Sequence, residues 1–290
     1  MVLRFKPHTV LSCRILSGIA VAVILSSVFS SCTVEHRLGR KYIRKEHNET
    51  LLVVPSDFIY KTNLTYQEPD PVNLISEEAR DSAGFFRSKF LQHVSDSLFL
   101  EKFYNAFISG MTSAGYRVML CDDSIAFRAE PGPKWIISFA QLQMEEETKK
   151  YYYDTYDVDE NYYYKEYELS TFGLNTWTEV EYQNAKPDQK RLLYLSGFIK
   201  EDFDGGFTYD SFDEKMYFVE HSESRITDRD IYAMAAASGR KHAELMIDYL
   251  MNDYIRRNMP PGMTRKNILH FDRTFKTLST EVNERFEVLK

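Results

Sequence analysis

Cysteine is scarce in this chain, with three residues among 290. Cys13 and Cys32 both lie near the amino terminus, so Cys121 is the single cysteine in the rest of the sequence. One cysteine excludes an intramolecular disulfide from that part of the chain. Because Cys121 ends an apolar run, we predict a small core residue there and not a reactive thiol.

Catalytic and metal-binding signatures are also missing. The sequence has no His-Glu-x-x-His, no Cys-x-x-Cys, no glycine-rich phosphate loop and no Gly-x-Ser-x-Gly. His221 with Glu223 offers two metal ligands at most, and two do not make a site. The acidic run from Glu145 to Glu147 is typical of a solvated strand end. We predict a protein that is not an enzyme, with no catalytic residue, metal or cofactor.

The balance of charge argues against another class of function. The chain has 36 Lys and Arg against 43 Asp and Glu, for a net charge of −7. Residues 1–31 hold three basic residues and no acidic one, so the chain without them carries −10. Nucleic acids are bound by clustered Lys and Arg, so we predict no nucleic-acid partner. With 43% hydrophobic residues, the chain can still bury a sizeable core.

One long apolar run is present, and it lies at the amino terminus. Arg4, Lys6 and Arg14 precede it, and it covers 15–29 before small serines. A basic leader, a short apolar core and small residues before a cleavage point are typical of a secretory signal peptide. A transmembrane helix needs roughly 20 apolar residues, which is longer than this run. We predict a signal peptide over residues 1–31.

The end of this leader resembles the lipobox of bacterial lipoproteins, in the form used by Bacteroidota. Phe29 is followed by Ser30, Ser31 and Cys32, although Leu is commoner at the first position. The resemblance implies cleavage between Ser31 and Cys32, a diacylglycerol thioether on Cys32, and acylation of the new amino terminus with a fatty acid such as palmitate. Two or more acyl chains hold a protein on a bilayer, since each buried CH₂ contributes about 0.8 kcal/mol. The resemblance therefore implies that the protein contacts a membrane through its lipid anchor.

Residues 32–50 are polar, and we predict a basic tether there. Its basic residues recur every three to four positions: Arg37, Arg40, Lys41, Arg44 and Lys45. If the stretch is helical they form a stripe that could rest on anionic headgroups, and otherwise the stretch is a solvated linker. Among Bacteroidota lipoproteins an acid-rich tract after the cysteine marks export to the cell surface. Only Glu35 is near here, which favours the periplasmic face.

The remaining sequence predicts a single α+β domain over 51–260 and a charged C-terminal tail over 261–290. We expect a mixed, mostly antiparallel sheet packed by two long amphipathic helices. The first helix, capped at Asp96-Ser97, repeats large apolar residues at spacing four. The second begins at an approximate capping box from Thr227 and places His242 on its buried face as a hydrogen-bonded core histidine. Asp204-Gly205-Gly206 is predicted to be a turn.

A tyrosine-rich stretch over 151–164 predicts a β-hairpin around an acidic turn. Tyr152, Tyr156 and Tyr163 could present aromatic surface to a sugar or protein partner. The alternative is ordinary cross-strand packing in a half-buried hairpin. Separately, Ser82 lies in an Asp-Ser-Ala triplet that resembles the O-glycosylation sequence of Bacteroidota.

A second resemblance involves the mature domain. The strand at 51–55, the helix ending at Met111, Gly115-Tyr116-Arg117-Val118 and the strand from Trp135 are similar to the core of small envelope lipoproteins. These include curli-secretion, penicillin-binding-protein activator and ABC-transport auxiliary lipoproteins. The resemblance implies a non-enzymatic assembly or transport accessory on the periplasmic face of the outer membrane, with an envelope protein as partner. The alternatives are a surface-exposed lipoprotein that binds glycan or host protein, and an envelope hydrolase.

Overall fold

The computed structural model of the protein describes residues 34–65, 86–157, 159–183, 190–212, 215–281 and 286–288. The predicted α+β class is confirmed, with helices and a mixed, mostly antiparallel sheet. The described chain divides into two compact units, where a single domain over 51–260 is predicted. The smaller unit contains 34–46 and 246–281, and the larger contains 47–245 and 286–288.

Four described helices and eleven strands follow one another along the chain. The helices are α1 (34–44), α2 (Asp96–Ser113), α3 (Ser124–Ala129) and α4 (Asp228–Arg257). The strands of the larger unit are β1 (Thr50–Val54), β2 (Tyr60–Asn63), β3 (Arg117–Leu120), β4 (Lys134–Tyr156), β5 (Tyr162–Tyr182), β6 (Arg191–Lys200), β7 (Asp202–Asp210), β8 (Lys215–Ser224) and β11 (Phe286–Val288). The smaller unit has β9 (Ile268–Asp272) and β10 (Thr277–Glu281).

The main sheet of the larger unit has the order β11-β6-β5-β4-β1-β3, with β2 paired to β4 further along. β1 is parallel to both of its neighbours, whereas β4, β5 and β6 are antiparallel. β7 and β8 form a separate two-stranded sheet. The turn predicted at Asp204-Gly205-Gly206 is wrong, because these residues lie inside β7, where the pairing register shifts between Asp204 and Gly205. Glycine here accompanies a strand irregularity and not a chain reversal.

Helix α2 forms the centre of the core as its spacing predicts. Phe99, Phe103, Phe107 and Met111 are all fully buried. Phe103 and Phe107 meet Phe139 of β4 edge to face, with ring centroids 5.2 and 5.1 Å apart. Such aromatic pairs add roughly 0.5–1.5 kcal/mol each to the gain from burial. The cap is one residue earlier than predicted, because the side chain of Ser95 accepts the Leu98 amide.

Helix α4 begins as predicted and crosses α2 closely. The Thr227 amide and hydroxyl both donate to the Asp230 carboxylate, at 3.0 and 2.7 Å. These bonds lower the pKa of Asp230. A Cβ at Gly239 would collide with the Phe103 carbonyl oxygen, and one at Gly110 would lie 2.6 Å from the Ala243 Cβ. Gly110 and Gly239 therefore allow α2 and α4 to pack with their backbones close together.

Glu146 is buried, which corrects the prediction of a solvated acidic face at Glu145 to Glu147. These residues lie in the middle of β4 and not at its end, so alternate side chains point to opposite faces. The Glu146 carboxylate is 2% exposed and accepts the backbone amides of Lys89, Phe90 and Leu91 at 2.6, 2.9 and 3.3 Å. It therefore orders the loop before α2.

The same loop is also attached through Glu201, the residue between β6 and β7. The Lys89 ammonium lies 2.5 Å from a Glu201 oxygen, and the Ser170 amide donates to the other at 3.1 Å. Burial alone would raise the pKa of Glu201, but the bonds from Lys89 and Ser170 lower it on balance. This carboxyl group is therefore ionised near neutral pH.

Replacing Glu146 with Ala should destabilise the larger unit by roughly 3 kcal/mol, because buried amides lose their acceptor. Glu147→Ala is the matched control, since Glu147 pairs with Lys149 on the half-exposed face of the same strand. It should change stability by less than about 0.5 kcal/mol. Urea unfolding followed by circular dichroism measures both. Equal losses in the two variants would contradict a structural role specific to Glu146.

His242 is a hydrogen-bonded core histidine, as predicted. It is 1% exposed, with Nδ1 2.8 Å from the Ser238 carbonyl and Nε2 2.6 Å from the Thr176 hydroxyl. A carbonyl only accepts, so Nδ1 carries the proton and Nε2 accepts from Thr176. Burial lowers the pKa of His242 to about 4, against 6.5 for an ordinary histidine. The ring therefore stays neutral in the folded protein at neutral pH.

The difference between the pKa of His242 in the folded protein and in the unfolded chain makes the free energy of unfolding depend on pH. The unfolded chain binds the His242 proton at higher pH than the folded one, so stability is full above pH 6.5 and falls towards pH 4. The loss should reach roughly 3 kcal/mol. His242→Gln should remove that part of the acid loss in urea unfolding at several pH values, whereas His221→Gln, at an exposed position, should not. An unchanged pH profile in His242→Gln would contradict the assignment.

Cys121 is exposed, so its prediction as a core residue is wrong. It begins a 3₁₀ turn, Cys121–Asp123, directly after β3. β3 is an edge strand that pairs only with β1 among the described strands. The apolar run before Cys121 therefore reaches the rim of the sheet, where the chain turns towards solvent.

The smaller unit occupies segments predicted to be tether and tail. α1 is helical where a linker was one alternative, and β9 and β10 form a hairpin within 261–290. The Asn252 side chain bonds the Leu269 amide and carbonyl at 2.9 and 2.7 Å, and Asp248 accepts the Phe271 amide at 2.9 Å. Polar side chains of α4 therefore satisfy the backbone of β9, which periodicity of apolar residues does not reveal.

Candidate functional site

The longest strands of the larger unit extend beyond its main sheet as an arm. β4 and β5 pair from Trp135 and Tyr182 to Tyr156 and Tyr162. β6 covers β5 only between Thr171 and Val180, and β2 covers β4 only up to Glu146. The part of the β4–β5 hairpin beyond these pairings is the arm, which is roughly 30 Å long at 3.4 Å per residue.

The tip of the arm is ordered by one carboxylate. Asp157 accepts the amides of Asp159 and Asn161, both at 2.9 Å, through one oxygen. The other oxygen accepts the Asn161 side-chain amide at 2.9 Å and the Tyr163 hydroxyl at 3.1 Å. These bonds, led by the one from the Asn161 side chain, lower the pKa of Asp157. Asp157 therefore ties the end of β4 to the start of β5.

One face of the arm, its inner face, packs on the β7–β8 sheet. Tyr163 lies 6.0 Å from Phe207, and Tyr167 lies 4.9 Å from Phe203, between ring centroids. Tyr153 contacts both Phe207 and Phe218. Aromatic residues on both sides of this contact give the arm a second layer.

The opposite face is solvent-exposed and carries a set of tyrosines that we call the outer tyrosine face. Its members are exposed by 53–65%: Tyr152, Tyr156, Tyr162 and Tyr164. Tyr162 lies 5.1 Å from Tyr156 and 6.1 Å from Tyr164, and its hydroxyl donates to Asp154 at 3.3 Å. Partial burial and Asp154 raise the pKa of Tyr162, so its hydroxyl remains a donor.

The structure separates the tyrosines that the sequence groups together. Tyr152 and Tyr156 lie on the outer face, whereas Tyr163 lies on the inner face. Cross-strand aromatic pairs occur on both faces, with Tyr156 and Tyr162 on the outer one and Tyr151 and Tyr167 on the inner one. Tyr162 and Tyr164 are the site residues missed at first. Strand alternation places Tyr162 and Tyr164 on one face and Tyr163 on the other. The register that pairs Tyr156 with Tyr162, and so brings the even-numbered tyrosines together, comes from the structure.

The remaining candidate metal ligands from the sequence do not come together as a site. His221 and Glu223 are exposed on β8, and Glu223 pairs with Arg225 at 2.9 Å. In the described residues, no group of three or more His, Cys, Asp or Glu side chains could hold a metal ion. Ser31, Cys32 and Ser82 lie outside the described residues.

A groove lies between α4 and the strands β5 and β6. Its volume is about 710 Å³, within the range of small-molecule pockets. Leu174, Leu195 and Phe198 supply apolar lining, and Phe198 is 70% exposed. His242 lies at its base with both ring nitrogens already bonded. Because both nitrogens are bonded, His242 is not poised for acid–base chemistry there.

Comparison with solved structures gives a distant likeness. The chain matches no protein-family model and, in sequence, no curated protein. It is similar to a crystal structure from Helicobacter pylori described as a neuraminyllactose-binding hemagglutinin homologue. The TM-score is 0.30 and the identity 8%, over 73% of this chain and 93% of that one. A likeness this distant carries no argument about function.

A helix that spans a bilayer must be both long and apolar. None of the described helices combines the length and the apolar character needed to span one.

Proposed function

We propose that this protein is a lipoprotein anchored in the outer membrane through Cys32. It faces the periplasm and serves as a non-enzymatic accessory of envelope assembly or transport. It docks an envelope protein through the outer tyrosine face. The observation that carries the proposal is the placement of four exposed tyrosines on one side of a projecting arm.

The size of the face is consistent with a protein partner. A buried tyrosine covers about 150–250 Å², so four that are more than half exposed offer roughly 400–500 Å². A standard protein interface covers about 800 Å² on each side. The outer tyrosine face would therefore supply the centre of an interface, and neighbouring residues its rim. Tyrosine is enriched among the residues that dominate binding energy.

The arm is also prepared for binding before a partner arrives. Its inner face is backed by β7 and β8, and its tip is held by Asp157. A surface that is already ordered loses little conformational entropy on association. The polar neighbours of the tyrosines, Asp154 and the ion pair between Lys150 and Glu166 at 2.6 Å, can serve as the rim.

In-cell photo-crosslinking tests the docking face. A photoreactive phenylalanine analogue at Tyr152, Tyr156 or Tyr164 should give one common protein adduct, identified by mass spectrometry. The same analogue at Tyr209, a tyrosine of β7 that is 55% exposed, is the matched control and should not give that adduct. Tyr156→Ala together with Tyr162→Ala should remove the adduct formed from Tyr164, because two of the four rings are lost.

One outcome would contradict the docking face, and a second would contradict the periplasmic location. One is an adduct that forms as well from Tyr209 as from the arm. The other is cleavage of the arm by protease added to intact cells, since a periplasmic domain should be protected. The second outcome would instead favour the surface-exposed alternative.

The anchor has its own test. Cys32→Ala should accumulate as a precursor that retains residues 1–31, because the lipobox thiol is the acylation site that the resemblance implies. Cys121→Ala is the matched control and should be processed normally, since Cys121 lies in the folded domain. Intact-protein mass spectrometry of the membrane fraction distinguishes the forms. Normal processing and release of Cys32→Ala would refute the anchor.

A further inference from the structure

Helix α1 has one face built into the smaller unit. The Glu35 carboxylate is 2% exposed and accepts the amides of Lys266 and Asn267 at 2.6 and 3.3 Å. A Cβ at Gly39 would lie 3.2 Å from side-chain atoms of both Leu269 and Leu278. Tyr42 is 1% exposed and stacks at an angle on Tyr254 of α4, with centroids 5.2 Å apart. The helix is therefore a fixed element of the fold.

The basic residues of α1 occupy the other face. Arg37, Arg40, Lys41 and Arg44 are all exposed. None of the four forms an ion pair with another residue of the described chain. Because the inward face is held by Glu35, Gly39 and Tyr42, the basic stripe that the sequence offered as one alternative has a defined orientation on the surface of the smaller unit.

Two of these residues open onto a pocket with a third cation. Arg40 and Arg44 line a pocket of about 450 Å³ together with Lys276 from the β9–β10 turn. The rest of its described lining is apolar or neutral, with no carboxylate: Ile43, Phe271, Thr277 and Leu278. Three cations without a carboxylate suit a phosphate, and guanidinium groups bind phosphate oxygens in pairs.

The neighbouring turn adds an apolar feature. Phe275, next to Lys276, is 76% exposed. An exposed aromatic residue beside cations is the combination found where proteins rest on a bilayer surface, because the ring enters the interface and the cations meet phosphates. Free phosphate in solution would bind the cations but would make no contact with Phe275.

We propose that this basic pocket, formed by Arg40, Arg44 and Lys276, binds the phosphate of an anionic phospholipid headgroup in the membrane that holds the protein. The inference rests on the proposed anchor at Cys32. Arg40 follows Cys32 by eight residues, which keeps it within roughly 30 Å of the anchor even if the intervening chain is fully extended. The pocket thereby orients the smaller unit on the bilayer surface.

Calorimetric titration with water-soluble lipids tests the proposal. The mature protein, purified in non-ionic detergent, is titrated with water-soluble short-chain phosphatidylglycerol, short-chain phosphatidylcholine or inorganic phosphate. The two lipids keep short acyl chains that Phe275 can contact. We expect the anionic headgroup to bind most tightly. Arg40→Gln together with Arg44→Gln should weaken it about 30-fold, since each cation near an anionic surface contributes about fivefold.

A matched pair on the same helix serves as control. Arg37→Gln together with Lys41→Gln removes the same charge at the same spacing outside the pocket, and should change affinity less than about twofold. If both pairs of substitutions weaken binding equally, the headgroup is held by diffuse attraction to the basic stripe and not by the pocket. Tighter binding of inorganic phosphate, or equal binding of the choline headgroup, would refute the anionic lipid as ligand.

The basic pocket and the anchor at Cys32 can be refuted separately. The short-chain lipids are water-soluble, so the titration does not require an acylated Cys32. The mass of the same purified protein reports acylation independently. An unacylated protein that binds the anionic headgroup would refute the anchor alone, whereas an acylated protein that does not bind it would refute the pocket alone.

Discussion

The antiparallel ladder between β4 and β5 is the interaction on which the larger unit depends. Near Phe139 it receives α2 and supplies the wall of the core, and towards Tyr156 it becomes the arm. The same strands therefore build both the interior and the exposed tyrosine face. Backbone hydrogen bonds continue from one part to the other, so the tyrosine face extends from the sheet while the two strands of the arm stay paired with each other.

Buried carboxylates recur as acceptors for loop amides in both units. Glu146 orders the loop before α2, and Glu35 orders the segment before β9. A carboxyl group is costly to bury alone, but hydrogen bonds from several amides offset that cost. The acidic excess of the composition is thus partly structural. These positions cannot be distinguished from surface acids by charge alone.

Periodicity located α2, α4 and the tyrosine-rich hairpin because it reports which side chains leave water. The spacing of Phe99 and Phe103 located α2, and the tyrosine-rich stretch located the arm. Predictions failed where a residue's role depends on a distant segment. Gly205 accompanies an irregularity against β8, Cys121 lies at the rim of the sheet, and Glu146 meets amides more than 50 residues away in the chain.

The sequence by itself determined the α+β class and the tyrosine composition of the hairpin, and it predicts the lipid anchor, because these depend on local pattern. Only the tertiary structure decided that Tyr162 and Tyr164 join Tyr156 while Tyr163 turns inward to Phe207. It also brought Lys276 to Arg40 and Arg44 across more than 200 residues. Local pattern selects which face a residue occupies, but only packing selects what that face meets.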